Sequence, residues 1–374
     1  MNGKVSRRTL MQTAGVAAFA TPLGAAAASS EPRFEGPDTP KICLGLGDAG
    51  GGETGGRRIK QLGVDHVLSG GPRIPWDEAG LRNQMERLKA DGLSLGNLMI
   101  AGFNNAIYAR PGRDEDIDKV IQSIKAAGKA GLPVVEYNWY AHRAMEGYFE
   151  ETGRAGAGWT GFDYERLIDV EGKRVAFKDL PPLEREGAHT LEEMWTNIAY
   201  FLKAVIPEAE KAGVRLALHP NDPPAPVSRG SQQIMGTVEG WKRLIDIVKS
   251  PANGITFDCG VTREMGQDPI EVCRYFASRD RINHVHFRNV KVKKPYERYT
   301  EVFIDEGENN MFLVMKELVK HKYPRLIYPE HPRAIDYDRD RGPIRGYPGG
   351  GSYAAFAFNV GYTRAMMQAA LTSS

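Results

Sequence analysis

A closed (β/α)8 barrel is the fold this chain predicts. Eight short apolar runs alternate with amphipathic stretches, those stretches tend to end in glycine, and the alternation occupies most of the 374 residues. Strand and helix in alternation imply parallel strands joined by crossover helices, and eight such units can close on themselves. A doubly wound open sheet shows the same local alternation. Against it, no glycine-rich turn after a strand reads as a dinucleotide-binding fingerprint.

In order, the strand runs are KICLGLG (41–47), VDHVLSG (64–70), LSLGNLMI (93–100), LPVVEYNW (132–139), VRLALHP (214–220), GITFDCG (254–260), INHVHFRN (282–289) and RLIYPEHP (325–332). Val, Ile and Leu dominate them, as strands covered on both faces require. DEAGLRNQMERLKADG, DEDIDKVIQSIKAAGKAG and TLEEMWTNIAYFLKAVIPEAEKAG open with acidic or Ser/Thr caps and close in Lys and Gly, which marks them as helices. The glycines of GLGDAGGGETGG are too many and too loosely spaced for a nucleotide fingerprint and read as a flexible loop.

Three connections are long: 140–190, 290–308 and 333–350. Each follows a strand and precedes a helix, so all three gather at the C-terminal face, where barrels of this kind build their sites. The first carries NWYAHRAMEGYFEETGRAGAGWTGFDY, whose aromatic and basic residues suit a lid over a polar ligand. Its outer part reads equally well as a contact in a homo-oligomer.

Ahead of the barrel, SRRTLM places the Arg7-Arg8 pair before the run QTAGVAAFATPLGAAAA. This reads as a twin-arginine export signal over 1–28, followed by a linker over 29–40 and a barrel domain over 41–374. The expected location is therefore periplasmic or secreted, with no stable membrane insertion once the signal is removed. Basic and acidic residues nearly balance, 49 against 47, which offers nothing to attract nucleic acid or an anionic membrane. Cys43, Cys259 and Cys273 are too few for a disulfide framework.

The strand ends carry the chemistry. RLALHPNDPP puts His219 last on the fifth run before three prolines stiffen the turn; Cys259 ends the sixth; His284 and His286 lie on the seventh; Glu330 and His331 end the eighth. Singly each has an ordinary explanation, but four neighbouring strands delivering metal-competent side chains to one rim point to a metal centre. Alternation puts His284 on the face of His286 but one layer deeper. The donor types allow Zn, Mn or Fe(II).

These residues resemble the mannonate dehydratase family of the xylose isomerase-like TIM barrels, in LHPNDPP, FDCG, HFRN, DEGENNM, PEHP and the region of Tyr353. The resemblance implies a divalent metal, Mn(II) first and Fe(II) second, held by His219, Cys259, His286 and Glu330. It also implies His331 and Tyr353 as the acid–base pair, and dehydration of D-mannonate to 2-keto-3-deoxy-D-gluconate. Arg288 could bind the sugar carboxylate, and Asn138 and Asn221 its hydroxyls. Glu330 stands where the family pattern has Asp, Asn221 removes a carboxylate from the turn, and the 140–190 loop is rewritten. Three other readings stay open: a metal-dependent isomerase, epimerase or lyase of an oxidised sugar; a non-catalytic sugar-acid binding protein; and a nuclease, favoured only by RNVKVKKPYERY.

Overall fold

A computed structural model describes residues 34–341 and 346–373. The segment expected to be an export signal and the first part of the expected linker lie outside the described residues. The rest of that linker is docked: Phe34 packs on the core, Glu35 Oε1 accepts from the Ile42 amide at 3.1 Å, and Lys41 Nζ reaches the Pro324 carbonyl at 2.7 Å. Among the described residues no helix is long and apolar enough to cross a membrane.

Eight parallel strands close the barrel: β1 Lys41–Gly45, β2 His66–Gly70, β3 Ser94–Ile100, β4 Val134–Tyr137, β5 Arg215–Leu218, β6 Asn253–Asp258, β7 Ile282–His286 and β8 Leu326–Tyr328, with β8 pairing back onto β1. Seven fall within their apolar runs, and β6 begins one residue ahead of its own, at Asn253. All residues of β4, β6 and β7 are buried, as a sheet enclosed by helices demands. The helices that cover it are α1 Gly52–Gln61, α2 Glu78–Ala90, α3 Arg113–Ala130, α4 Leu191–Ala212, α5 Val238–Ile247, α6 Pro269–Ala277, α7 Met311–Lys320 and α8 Tyr353–Thr372.

Local chemistry fixes the helix ends where the sequence placed them. In α4 the Thr190 hydroxyl accepts from the Glu193 amide while the Glu193 carboxylate accepts from the Thr190 amide, and Gly213 closes the helix in the left-handed region at φ 69°. That reciprocal cap satisfies two donors the first turn would otherwise leave open. Asp77 caps α2 by accepting from the Gly80 amide at 2.7 Å. The glycine-rich stretch after β1 differs from the loop expected there, because α1 begins inside it at Gly52. Apolar contacts explain this, since Ile59 on α1 is wholly buried in the main core and outweighs poor intrinsic propensity.

The long connections after β4 and β7 fold together. Their strands form one four-stranded antiparallel sheet in the order Val290–Lys294, Arg298–Glu301, Gly158–Asp163, Tyr148–Thr152. A second apolar cluster holds it, with Tyr299 stacked on Phe162 at 5.0 Å between ring centres. The basic run read as a nucleic-acid feature is the hairpin of this sheet. Its Lys291, Lys294 and Arg298 face Glu306, Glu297 and Asp163 at 3.3, 2.5 and 3.8 Å.

Candidate metal centre and active site

Register decides which side chains meet. Across β6 and β7, Thr256 pairs with His284 and Asp258 with His286; β7 then pairs His286 with Tyr328. Side chains alternate along a strand, so Thr256 and Asp258 share the inner face and Phe257 the outer one. The structure does not bring Cys259, expected as a metal ligand, into the group at the mouth: it opens a short helix directly after β6. Its thiol lies in the apolar core and donates to the Arg288 carbonyl at 3.2 Å, and burial pushes its pKa well up. Asp258 stands in its place.

Donor atoms meet around His286 at the mouth in two overlapping groups, one with Glu136 and His219, the other with Asp258 and Glu330. His219 Nε2 lies 3.1 Å from His286 Nδ1, and Glu330 Oε2 lies 3.1 Å from that same Nδ1. Asp258 Oδ2 completes the group at 3.9 Å. The tautomer of His219 follows from its other nitrogen: Nδ1 is 2.7 Å from the Pro220 carbonyl, which can only accept, so Nδ1 carries the proton and Nε2 presents a lone pair. Burial lowers the His219 pKa to about 4, which keeps that ring neutral.

His286 is held from behind. Its Nε2 lies 3.6 Å from Glu136 Oε1, and Glu136 is fixed by Thr256 Oγ1 at 2.7 Å and Asn97 Nδ2 at 2.9 Å. Burial opposes a charge on His286, yet Glu330, Glu136 and Asp258 together raise its pKa to about 9. Asp258 moves to about 6, driven by burial and the neighbouring Glu330 against the pull of Arg288. Imidazole nitrogens and carboxylates crowded in this way can share a cation, and Glu330 Oε1, though 3.2 Å from Arg288 Nε, is buried without a hydrogen-bond partner. The donor set therefore fits a divalent ion. As expected, His284 lies one layer below, buried, its ring centre 5.0 Å from that of His286.

His331 stands beside this group with a backbone φ of 46°, uncommon for a residue with a side chain. Its Nδ1 is 2.8 Å from Glu301 Oε2, so Nδ1 carries a proton, and its Nε2 lies 3.6 Å from Glu330 Oε2. Burial disfavours the imidazolium, but Glu301 and Glu330 prevail and the pKa is raised. Tyr353 does not join it. That side chain opens α8 and its hydroxyl donates to the Arg58 carbonyl on the helical layer, at 3.2 Å. The tyrosine that meets His331 is Tyr347, with ring centres 4.2 Å apart; its hydroxyl touches Arg143 Nη2 and lies 3.5 Å from Asp222 Oδ2.

The expected substrate-binding residues fare differently. Arg288 is not free to grip a ligand: it is 2% exposed, with carboxylate oxygens of Glu264 at 2.6 Å, Asp258 at 3.1 Å, Glu330 at 3.2 Å, Asp222 at 3.4 Å and Glu301 at 3.5 Å. Asn221 turns away and pins the loop, its Oδ1 accepting from the Met235 amide at 2.7 Å. Asp222, one residue on, is the one that meets Arg288 and the Tyr148 hydroxyl, the latter at 2.6 Å. Asn138 follows β4 at the mouth, half-buried, with Nδ2 3.4 Å from Met99 Sδ.

A family model described as D-mannonate dehydratase (UxuA) matches residues 54–371. The mannonate dehydratase of Streptococcus equi subsp. zooepidemicus is 31% identical over 287 residues, which span 72% of this chain and 78% of that one. Among solved structures, the mannonate dehydratase from Streptococcus suis serotype 2 superposes with a TM-score of 0.77 at 24% identity, covering 90% of this chain and 94% of that chain. An L-ribulose 3-epimerase superposes with a TM-score of 0.54 at 15% identity over 90% and 97%, a likeness of fold.

Proposed function

Because the chain belongs to the mannonate dehydratase family of hydro-lyases, acting on a small sugar acid, we propose that its barrel mouth converts D-mannonate to 2-keto-3-deoxy-D-gluconate and water. The convergence of His219 Nε2, His286 Nδ1, Asp258 Oδ2 and Glu330 Oε2, with the His331–Tyr347 pair beside it, supports this reading. Those four residues would hold a divalent ion, with Mn(II) the first choice. When bound, that ion supplies positive charge where a carboxylate-stabilised carbanion develops.

Proton transfer falls to the two side chains at the rim. Tyr347, whose hydroxyl touches Arg143 and whose ring stands 4.2 Å from that of His331, is the base that removes the C2 proton. The C2–H electrons form the C2–C3 double bond as the C3–O bond breaks. His331, whose pKa Glu301 and Glu330 raise, delivers its Nε2 proton to the departing hydroxyl, which leaves as water. The resulting enol then tautomerises to the 2-keto-3-deoxy acid.

The test is an assay for 2-keto-3-deoxy acids on Mn(II)-reconstituted protein with a panel of aldonates and uronates. D-Mannonate should be turned over best. His331→Ala and Tyr347→Phe should each lower kcat by about 100-fold or more, as loss of a general acid or base does, while Tyr353→Phe stays close to wild type. Turnover confined to another sugar acid would replace the substrate, and isomerisation without water loss would replace the reaction.

A further inference from the structure

Among the described residues three guanidinium groups touch the site, and they differ in what they have left to offer. Arg288 is enclosed by five carboxylates, as given above. Arg333 is wholly buried, with Nη2 3.1 Å from Glu301 Oε2, Nε on the His331 carbonyl at 2.9 Å and Nη1 on the Thr160 hydroxyl. Arg143 comes from the lid side, from the connection after β4, and its side chain is 37% exposed. Its Nε donates to the Asp222 carbonyl at 3.1 Å and its Nη2 to the Tyr347 hydroxyl. No described residue accepts from its Nη1.

An anionic substrate approaching this mouth meets Glu330, Asp222, Glu301 and Asp258, all buried and crowded together. Such a wall repels a carboxylate unless a cation with unspent donors stands at the entrance. Arg288 and Arg333 are buried among protein carboxylates, whereas Arg143, though 3.7 Å from Asp222 Oδ2, reaches the solvent-facing side of the site. Arg143 is held in place at two nitrogens and keeps a third for a ligand, a geometry lysine cannot reproduce.

We propose that Arg143 is the residue by which the site recognises the carboxylate of its substrate, and so selects sugar acids over neutral sugars. The proposal rests on the sugar-acid reading above. It also ties recognition to chemistry, because the guanidinium that meets the acid is the one that touches the Tyr347 hydroxyl.

Equilibrium binding of D-mannonate and of its neutral amide, D-mannonamide, tests this by calorimetry on full-length, Mn(II)-loaded protein. A His331→Ala background prevents turnover. The acid should bind about 10- to 100-fold more tightly than the amide, the range a charge-assisted hydrogen bond provides. Arg143→Met should erase that ratio by weakening the acid alone, and Arg143→Lys should restore part of it. In the active protein Arg143→Met should raise KM for D-mannonate more than it lowers kcat.

An acid-to-amide ratio unchanged by Arg143→Met would overturn the proposal, as would wild-type affinity that ignores the carboxylate. Erasure of the ratio by Tyr347→Phe as fully as by Arg143→Met would also overturn it, since the arginine would then act only through the tyrosine. Intact discrimination between acid and amide without water loss from any sugar acid would instead remove the dehydratase reading and leave this one standing.

Discussion

Two carboxylate clusters lie side by side at the barrel mouth, share one guanidinium, and differ in what else faces them. Asp222, Glu264 and Glu301 bring ligand oxygens within 4.8 Å of one another, as do the donors of Asp258, His286 and Glu330. The first cluster carries its own counter-ion, because the Arg288 guanidinium lies against all three carboxylates. The second shares that guanidinium, with Arg288 Nε 3.1 Å from Asp258 and 3.2 Å from Glu330, but it is faced as well by the imidazoles of His286 and His331, whose lone pairs can take a proton or a metal ion. Proximity of carboxylates is thus a poor guide to a cation site; the kind of partner facing them decides.

Removing a donor from the second cluster should produce the largest effect. His286→Ala should take bound Mn(II) from one per chain to none by elemental analysis and abolish turnover. Asp258→Asn should follow with a loss of metal affinity beyond the roughly 10- to 100-fold typical of an outer residue, while Cys259→Ser changes it by no more than about two-fold. The reverse order for Asp258 and Cys259 would show that the strand register described here is wrong.

Removing the built-in cation of the first cluster comes next. Arg288→Met takes the cation from five buried carboxylates, three of them with no imidazole in their own group, and should cost about 3–5 kcal/mol in urea unfolding of the metal-loaded protein. Excess Mn(II) should recover part of that loss, because the vacated triad then resembles its neighbour. Recovery of nothing would mean that the two clusters differ in more than their counter-ion.

The smallest effect is a pH dependence confined to metal-free protein. Folding raises the His286 pKa from its ordinary 6.5 to about 9, so the ring binds a proton more tightly in the folded state. Its contribution to stability is fully present below pH 6.5 and is lost as pH rises through about 9, an upper bound of about 3 kcal/mol. Chelated protein should therefore melt at progressively lower temperature across that window. Metal-saturated protein should not, since an ion at Nδ1 displaces the proton. Equal slopes with and without metal would separate His286 from the cation site.

Much of this was legible in the residues. Eight apolar runs named the eight strands because burial on both faces leaves a compositional trace in each strand separately. His219, His286, Glu330 and His331 were legible because each ends such a run. Asp258 was legible in principle and passed over: Ile255, Phe257 and Cys259 form the apolar set of one face, which leaves Thr256 and Asp258 on the other. Glu136, a lone charge in the run VVEY, was a similar signal. Nothing local singled out Glu301, which reaches His331 only through a sheet built from two connections more than a hundred residues apart. Nor did the sequence choose between Tyr347 and Tyr353, six residues apart in one glycine-rich segment.

The sequence by itself determined the barrel, the face on which its long connections gather and the strands that deliver the donors, since periodicity and burial act over a few residues at a time. Tertiary structure alone decided which of the carboxylates around Arg288 also face imidazole, and which arginine lies open to the mouth. Those outcomes depend on register between strands and on the packing of distant loops, where a shift of one residue turns a side chain from the mouth to the core.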